Sequence, residues 1–203
     1  MATFPTRIET ETGRRLSPSQ IFDITAAREN SLSRLLMVYI STGLFFMLLP
    51  GTFLGVWNLL AISSRRAPAS VSPAWLQAHG HAQIFGWIGS FILGIGFYSI
   101  PKLRQVRPFA LSLGWTCWAL WTSGVTLRWL ASVYVWHWRI FVPGSAALEL
   151  AAFLIFFRSV SRHRPEDSGK NKLDHWIFVV IAGCAGLLLT LFLNLGSSIY
   201  LAL

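Results

Sequence analysis

The sequence predicts an all-α, polytopic transmembrane bundle of about five helices, because only backbone that satisfies its own hydrogen bonds can cross a bilayer. Three observations point there. Hydrophobic residues make up 54% of the 203-residue chain and charged residues only 12%, with a mean hydropathy of +0.54, well above that of an ordinary soluble domain. The apolar residues gather into runs long enough to cross ~30 Å of hydrocarbon, which takes about 20 helical residues. The basic residues sit in short clusters between these runs. A net charge of +9 and a pI near 10.6 would suggest nucleic acid if they formed one soluble basic face. Spread between apolar runs they act as topology signals, which leaves the lipid bilayer as the partner and excludes nucleic acid.

Residues 1–33 read as a polar cytoplasmic tail carrying Arg7, Glu9, Glu11, Arg14, Arg15, Asp23, Arg28 and Glu29. It has no short apolar core followed by a small-residue cleavage site, so no cleavable signal is expected. Within the tail, SPSQIFDITAAREN offers Ser17 as an N-cap, Pro18 at the first helical position and Gln20 to complete a capping box, the signature of a short helix.

Residues 34–203 form the transmembrane domain. Its runs cover about 35–62, 76–100, 109–133, 138–158 and 175–203, each long enough to span. Pro50-Gly51 predicts a kink in the first; Pro143-Gly144 either kinks the fourth or marks its true start. RRAPASVSP, PKLRQVRP and RSVSRHRPEDSGKNK are the connecting loops. Thirteen of the seventeen Lys and Arg residues fall on one side of this arrangement. The four on the other are Arg65, Arg66, Arg128 and Arg139. By the positive-inside rule the N-terminus is cytoplasmic, five crossings put the C-terminus outside, and His79 and His81 lie near the outer end of the second helix.

Trp75, Trp129, Trp136 and Trp138 lie near predicted boundaries, where amphipathic rings are favoured, and His137 in YVWHWR belongs to the same interface. His163 and His175 lie in or beside a basic loop. Cys117 and Cys184 sit inside apolar runs without CxxC spacing and read as small packing residues.

The segment HGHAQIFGWIGSFILGIGFYSIPKL, residues 79–103, carries the candidate site. On a regular helix a two-residue step turns the side chain by about 200°, so His79 and His81 cannot both face one metal. The His79 face continues through Gln83, Gly86, Ser90 and Gly94, which is small and polar. The His81 face continues through Phe85, Ile88, Ile92 and Ile95, which is bulky. The small stripe is either a helix-packing seam or room for a flat ligand. HxH alone is a weak metal signal, because a tetrahedral site needs more ligands.

This segment resembles the second helix of haem-copper oxidase catalytic subunits, with His79 near the outer end, the aromatic pair Phe97-Tyr98 about five turns on, and Lys102 beyond. It is still more similar to the NnrS family, distant relatives of those oxidases, through His79, His81 and the Phe85-Gly86-Trp87 step. The stretch from Trp121 to Arg128 and the position of Glu149 extend the likeness more weakly. The resemblance implies a haem- and copper-containing protein of the bacterial inner membrane, linked to nitric oxide and nitrogen-oxide metabolism or respiratory electron transfer. His79 would be an axial ligand, His81 would serve the haem or a second metal, and Gln83, Gly86, Ser90 and Arg128 would line the cofactor. The family has more than twice as many helices, and this chain ends within the apolar run SSIYLAL. The likeness therefore covers an N-terminal portion, and a homo-oligomer or a partner membrane chain is expected to complete it. A cofactor-free scaffold or assembly subunit is the alternative.

Glu149 lies well inside the fourth run, where an ionised carboxylate costs roughly 2.5 kcal/mol or more. It should be paired, protonated or facing a cavity, with Arg128 as its nearest candidate partner. Arg128 and Arg139 could instead hold haem propionates. Asn58 and Asn194 are expected to make interhelical hydrogen bonds.

Overall fold

The structure, a computed structural model, describes residues 17–65, 71–103, 109–135, 137–161 and 175–203, and all the regular structure among them is helical. Five rods result. The first, α1, runs without a break through Pro18–Phe46, a wide π-helical stretch Met47–Thr52, and Phe53–Arg65. The second, α2, is built alike from Pro73–His81, a π-helical stretch Ala82–Gly89, and Ser90–Leu103. Single helices α3 (Leu111–Tyr134), α4 (Trp138–Ser161) and α5 (His175–Ala202) complete the chain.

Four of the rods, α1, α2, α4 and α5, are long and apolar enough to cross a membrane. This makes the chain a multi-pass membrane protein in contact with lipid. α3 would extend about 36 Å, ample to span, but its Trp, Ser, Thr and Gly content lowers its hydropathy. It is also deeply packed, with Gly114, Cys117, Trp121, Gly124 and Val125 all buried.

The expected cap on Ser17 is present. Its hydroxyl accepts from the Gln20 backbone N–H and the Gln20 side chain accepts from the Ser17 backbone N–H. The helix it starts is not short, however. It runs straight into the first span, because no Gly or Pro interrupts residues 19–42. From Pro18 to Arg65 the rod is roughly 70 Å long, more than twice the hydrocarbon thickness. Its first turns are exposed.

At the far end of α2, Glu29 of α1 accepts hydrogen bonds from Tyr98 and Lys102, and the Lys102 ammonium lies over the Tyr98 ring. Both ends of the ion pair are over 40% exposed, so it contributes at most about 1 kcal/mol and is screened by salt. Glu29→Gln is expected to lower stability by less than that in equilibrium unfolding in detergent, with the difference shrinking as salt rises.

Pro50, where a kink is expected, lies inside a π-helical stretch of α1. Lacking an N–H, it cannot close its own turn, and the chain widens over Met47–Thr52 with Pro50 and Gly51 buried. Pro143 lies within α4, which starts at Trp138 and continues past it. The tight α3–α4 turn uses left-handed backbone at Val135 (φ 56°) and His137 (φ 44°), a conformation that costs a β-branched residue most.

The core joins Leu35, Tyr39 and Phe46 of α1 with Phe85, Leu93 and Phe97 of α2, Trp121 and Val125 of α3, and Phe153 and Phe156 of α4. α5 packs chiefly on α4, and its Phe178, Val179, Leu189 and Leu193 are exposed.

Candidate functional site

The two π-helical stretches lie against one another, and side chains from within the stretch and from neighbouring helices take up the carbonyls they present. Thr52 donates to Met47 O at 2.8 Å, and Gln83 reaches the same oxygen at the long limit of 3.5 Å. The His79 ring approaches Gly51 O through Nδ1 at 2.7 Å. On α2, Phe85 O accepts from Trp121 Nε1 at 3.0 Å. A carbonyl can only accept, so the His79 proton at this contact is on Nδ1, which in the neutral ring leaves the lone pair on Nε2. The ring lies close enough to α1 that a Cβ on Gly55 would stand 2.8 Å from His79 Cε1 and 3.5 Å from Nε2.

His81 has a different setting. It is 9% exposed, and its Nε2 lies 2.7 Å from Oε1 of Glu149, which is fully buried. Its ring stacks on Phe85, with centroids 4.5 Å apart and planes 21° from parallel. Glu149 packs over Gly124, where a Cβ would stand 2.8 Å from Glu149 Cγ. Its second oxygen, Oε2, has no hydrogen-bond partner among the described residues.

His79 and His81 thus do face different surroundings, but the surroundings are not those that a regular helix predicts. Burial along α2 recurs at four-residue steps, through Ala78, Ala82, Gly86, Ser90 and Gly94 and through His81, Phe85, Gly89, Leu93 and Phe97. An ideal α-helix drifts about 40° over each such step. The wider turns of Ala82–Gly89 absorb the drift. Ile88, Ile92 and Ile95 therefore face outward, and His81 shares its side with Phe85 and Gly89 instead.

The small stripe is filled by side chains of this chain. A Cβ on Gly86 would meet Phe46 Cβ at 2.7 Å, and one on Gly94 would meet Tyr39 Cβ at 2.6 Å. Ser90 is 1% exposed. The slot that the sequence suggests for a porphyrin edge is a helix-packing seam, as small residues at this spacing permit.

Glu149 makes its close contact with His81 rather than with Arg128; Arg128 donates to Ser198 Oγ of α5 at 2.9 Å and acts on the Glu149 carboxylate only through its charge. The buried Nδ2 atoms of Asn58 and Asn194 lack hydrogen-bond partners among the described residues, so the expected interhelical bonds from those amides are not seen. Cys117 is buried and donates to Ala152 O, while Cys184 is half-buried. Arg139 lies over the Trp138 ring. His163 and the side chains of Trp136 and His175 fall outside the described residues.

The His81–Glu149 pairing joins α2 to α4 across 68 residues of chain, and no local pattern marks it. The isolated carboxylate in an apolar run was the one available signal. Among the described residues no three His, Cys, Asp or Glu side chains converge on a common point. A groove of about 480 Å³ lined by Trp87, Ile88, Phe91 and Ile92 is apolar and includes neither histidine. Comparison with family models, curated proteins and solved structures finds no match to this chain.

Proposed function

We propose that this chain is an NnrS-like membrane protein of nitrogen-oxide metabolism or respiratory electron transfer, and that the outer end of α2 supplies an imidazole ligand to haem iron. The observation that carries the reading is the ring of His79. Its Nδ1 is held by the Gly51 carbonyl, and an outer acceptor of this kind is what fixes the tautomer and raises the basicity of a ligating histidine. The donor chemistry of the half-buried His79 fits a haem. The enclosure does not, because Phe46 and Tyr39 fill the stripe through Gly86 and Gly94. A haem held by His79 would need a second wall from another copy or a partner chain, because this chain's own side chains fill the stripe.

Bound haem would supply a redox-active iron tuned by its axial ligand and surroundings. His79 would hold it and Gly51 would orient His79. Copper on His81 would need further ligands from another chain, since no three-ligand group stands among the described residues.

The purified protein is expected to show a Soret band that His79→Ala abolishes and His81→Ala only reduces. A wild-type spectrum retained in His79→Ala would refute the assignment. Full occupancy only on co-expression with a second membrane protein would identify that protein as the missing wall.

A cofactor-free scaffold is the second reading. It is supported by the same contacts, since His79 and Gln83 both satisfy carbonyls of the π-helical stretch of α1. On that reading no Soret band appears, and His79→Ala lowers stability alone.

The proposed location is the bacterial inner membrane, with the N-terminus cytoplasmic, the C-terminus outside and five crossings. Support comes from the distribution of Lys and Arg and the positive-inside rule. Reporter fusions at residues 105 and 168 are expected to read cytoplasmic, and those at 70 and 135 external. The inverse pattern would move both histidines to the cytoplasmic side.

A further inference from the structure

We propose that Glu149 is a positioning residue for His81: its carboxylate holds the proton on Nε2 and leaves the lone pair on Nδ1, the opposite tautomer to His79. The ring is held by a bond of 2.7 Å to Oε1, and both partners are buried. With Glu149 ionised, as its place beside the Arg128 charge favours, the carboxylate can only accept, so the shared proton belongs to the imidazole and the lone pair of the neutral ring lies on Nδ1. The ring cannot turn freely to change partners. Phe85 is stacked on it, and Trp121 in turn holds Phe85 by its carbonyl.

Two histidines one residue apart therefore present different nitrogens. His79 offers Nε2 because a backbone carbonyl occupies Nδ1. His81 offers Nδ1 because a carboxylate occupies Nε2. A single centre served by both in the same way is ruled out, and the two become chemically separate positions. What binds rests on the function proposed above; the tautomers are a property of the metal-free chain and can be tested without it.

The test is nitrogen NMR of the full-length, metal-free protein in lipid nanodiscs, with ring-labelled histidine, in wild type, Glu149→Gln and Glu149→Leu. In wild type, His81 should show a protonated Nε2 and a bare Nδ1, and His79 the reverse. Glu149→Gln, whose amide oxygen still accepts, should keep the His81 pattern. Glu149→Leu should lose it, giving a mixture of tautomers, while His79 stays unchanged and reports that the helix is intact. Protonated Nδ1 at His81 in wild type would overturn the proposal, as would a His81 pattern unaffected by Glu149→Leu. If Glu149→Leu does not fold, the wild-type and Glu149→Gln spectra decide. A haem titration of the same samples stands apart: absence of a Soret band with the tautomers as stated would remove the haem reading and leave the positioning role in place.

Discussion

His81→Ala is expected to destabilise the protein by about 3–5 kcal/mol, because it leaves a buried carboxylate with no partner. Glu149 is fully buried, one of its oxygens has no partner among the described residues, and the other has His81. Removing the imidazole strips away the remaining hydrogen bond. The buried carboxyl is then left without a hydrogen bond among the described residues, with only the charge of Arg128 acting on it, and that is costly. Glu149→Leu is expected to cost less, about 1–3 kcal/mol, since a neutral imidazole with an unmet N–H is cheaper to bury than an unmet carboxylate. The double variant His81→Ala, Glu149→Leu should recover part of the loss of His81→Ala, because the unmet carboxylate is gone and only the cavity left by the imidazole remains. Equilibrium unfolding in detergent would give the cycle. If the two single costs simply add in the double variant, the pair is not coupled and the geometry at this contact is wrong.

That pairing also shows how far the sequence carries. Each rod was legible because apolar runs of membrane length have one backbone solution, and the start of α1 was legible because Ser17, Pro18 and Gln20 form a local capping signal. Glu149 was recognisable as a group in need of a partner, since a carboxylate within an apolar run is expensive wherever it lies. Its partner was not recognisable. The choice between Arg128 and His81 depends on how α2, α3 and α4 are rotated about their axes, and that is set by packing between distant segments.

The rotation of α2 was misread for a specific reason. A period of 3.6 residues assigns Ile88 to the side of His81, whereas the π-helical turns over Ala82–Gly89 carry it outward. In α1 the cause of such a stretch is visible, because Pro50 lacks a donor. In α2 the stretch contains no proline. Its carbonyl at Phe85 is met instead by Trp121 of another helix, a tertiary contact to which periodicity is blind. π-helical turns are rare and gather at functional sites, and both of those found here lie beside the histidines.

Gly89→Ala and Gly94→Ala should each destabilise the bundle by about 1–3 kcal/mol, the cost of overpacking a close-packed core. At Gly89 an added Cβ would run into Trp121 Cζ2, and at Gly94 it would meet Tyr39 Cβ at 2.6 Å. Neither neighbour can yield easily. Trp121 is fully buried and tied to Phe85 O; Tyr39 is fully buried and donates to Gly114 O. The Tyr39 atom in the way is also the one nearest its own backbone, so relief requires α1 to move. Leu at either position should prevent folding or abolish complex yield. Gly183→Ala and Gly186→Ala supply the contrast, because a Cβ at either meets nothing within 4 Å and alanine is the better helix former by up to about 1 kcal/mol. Thermal unfolding in detergent of the four alanine variants should therefore separate into two losses and two neutral or slightly raised values. Equal effects at Gly94 and Gly183 would mean that the α1–α2 seam is not packed as described, and the slot through Gly86 and Gly94 would again be open to a porphyrin.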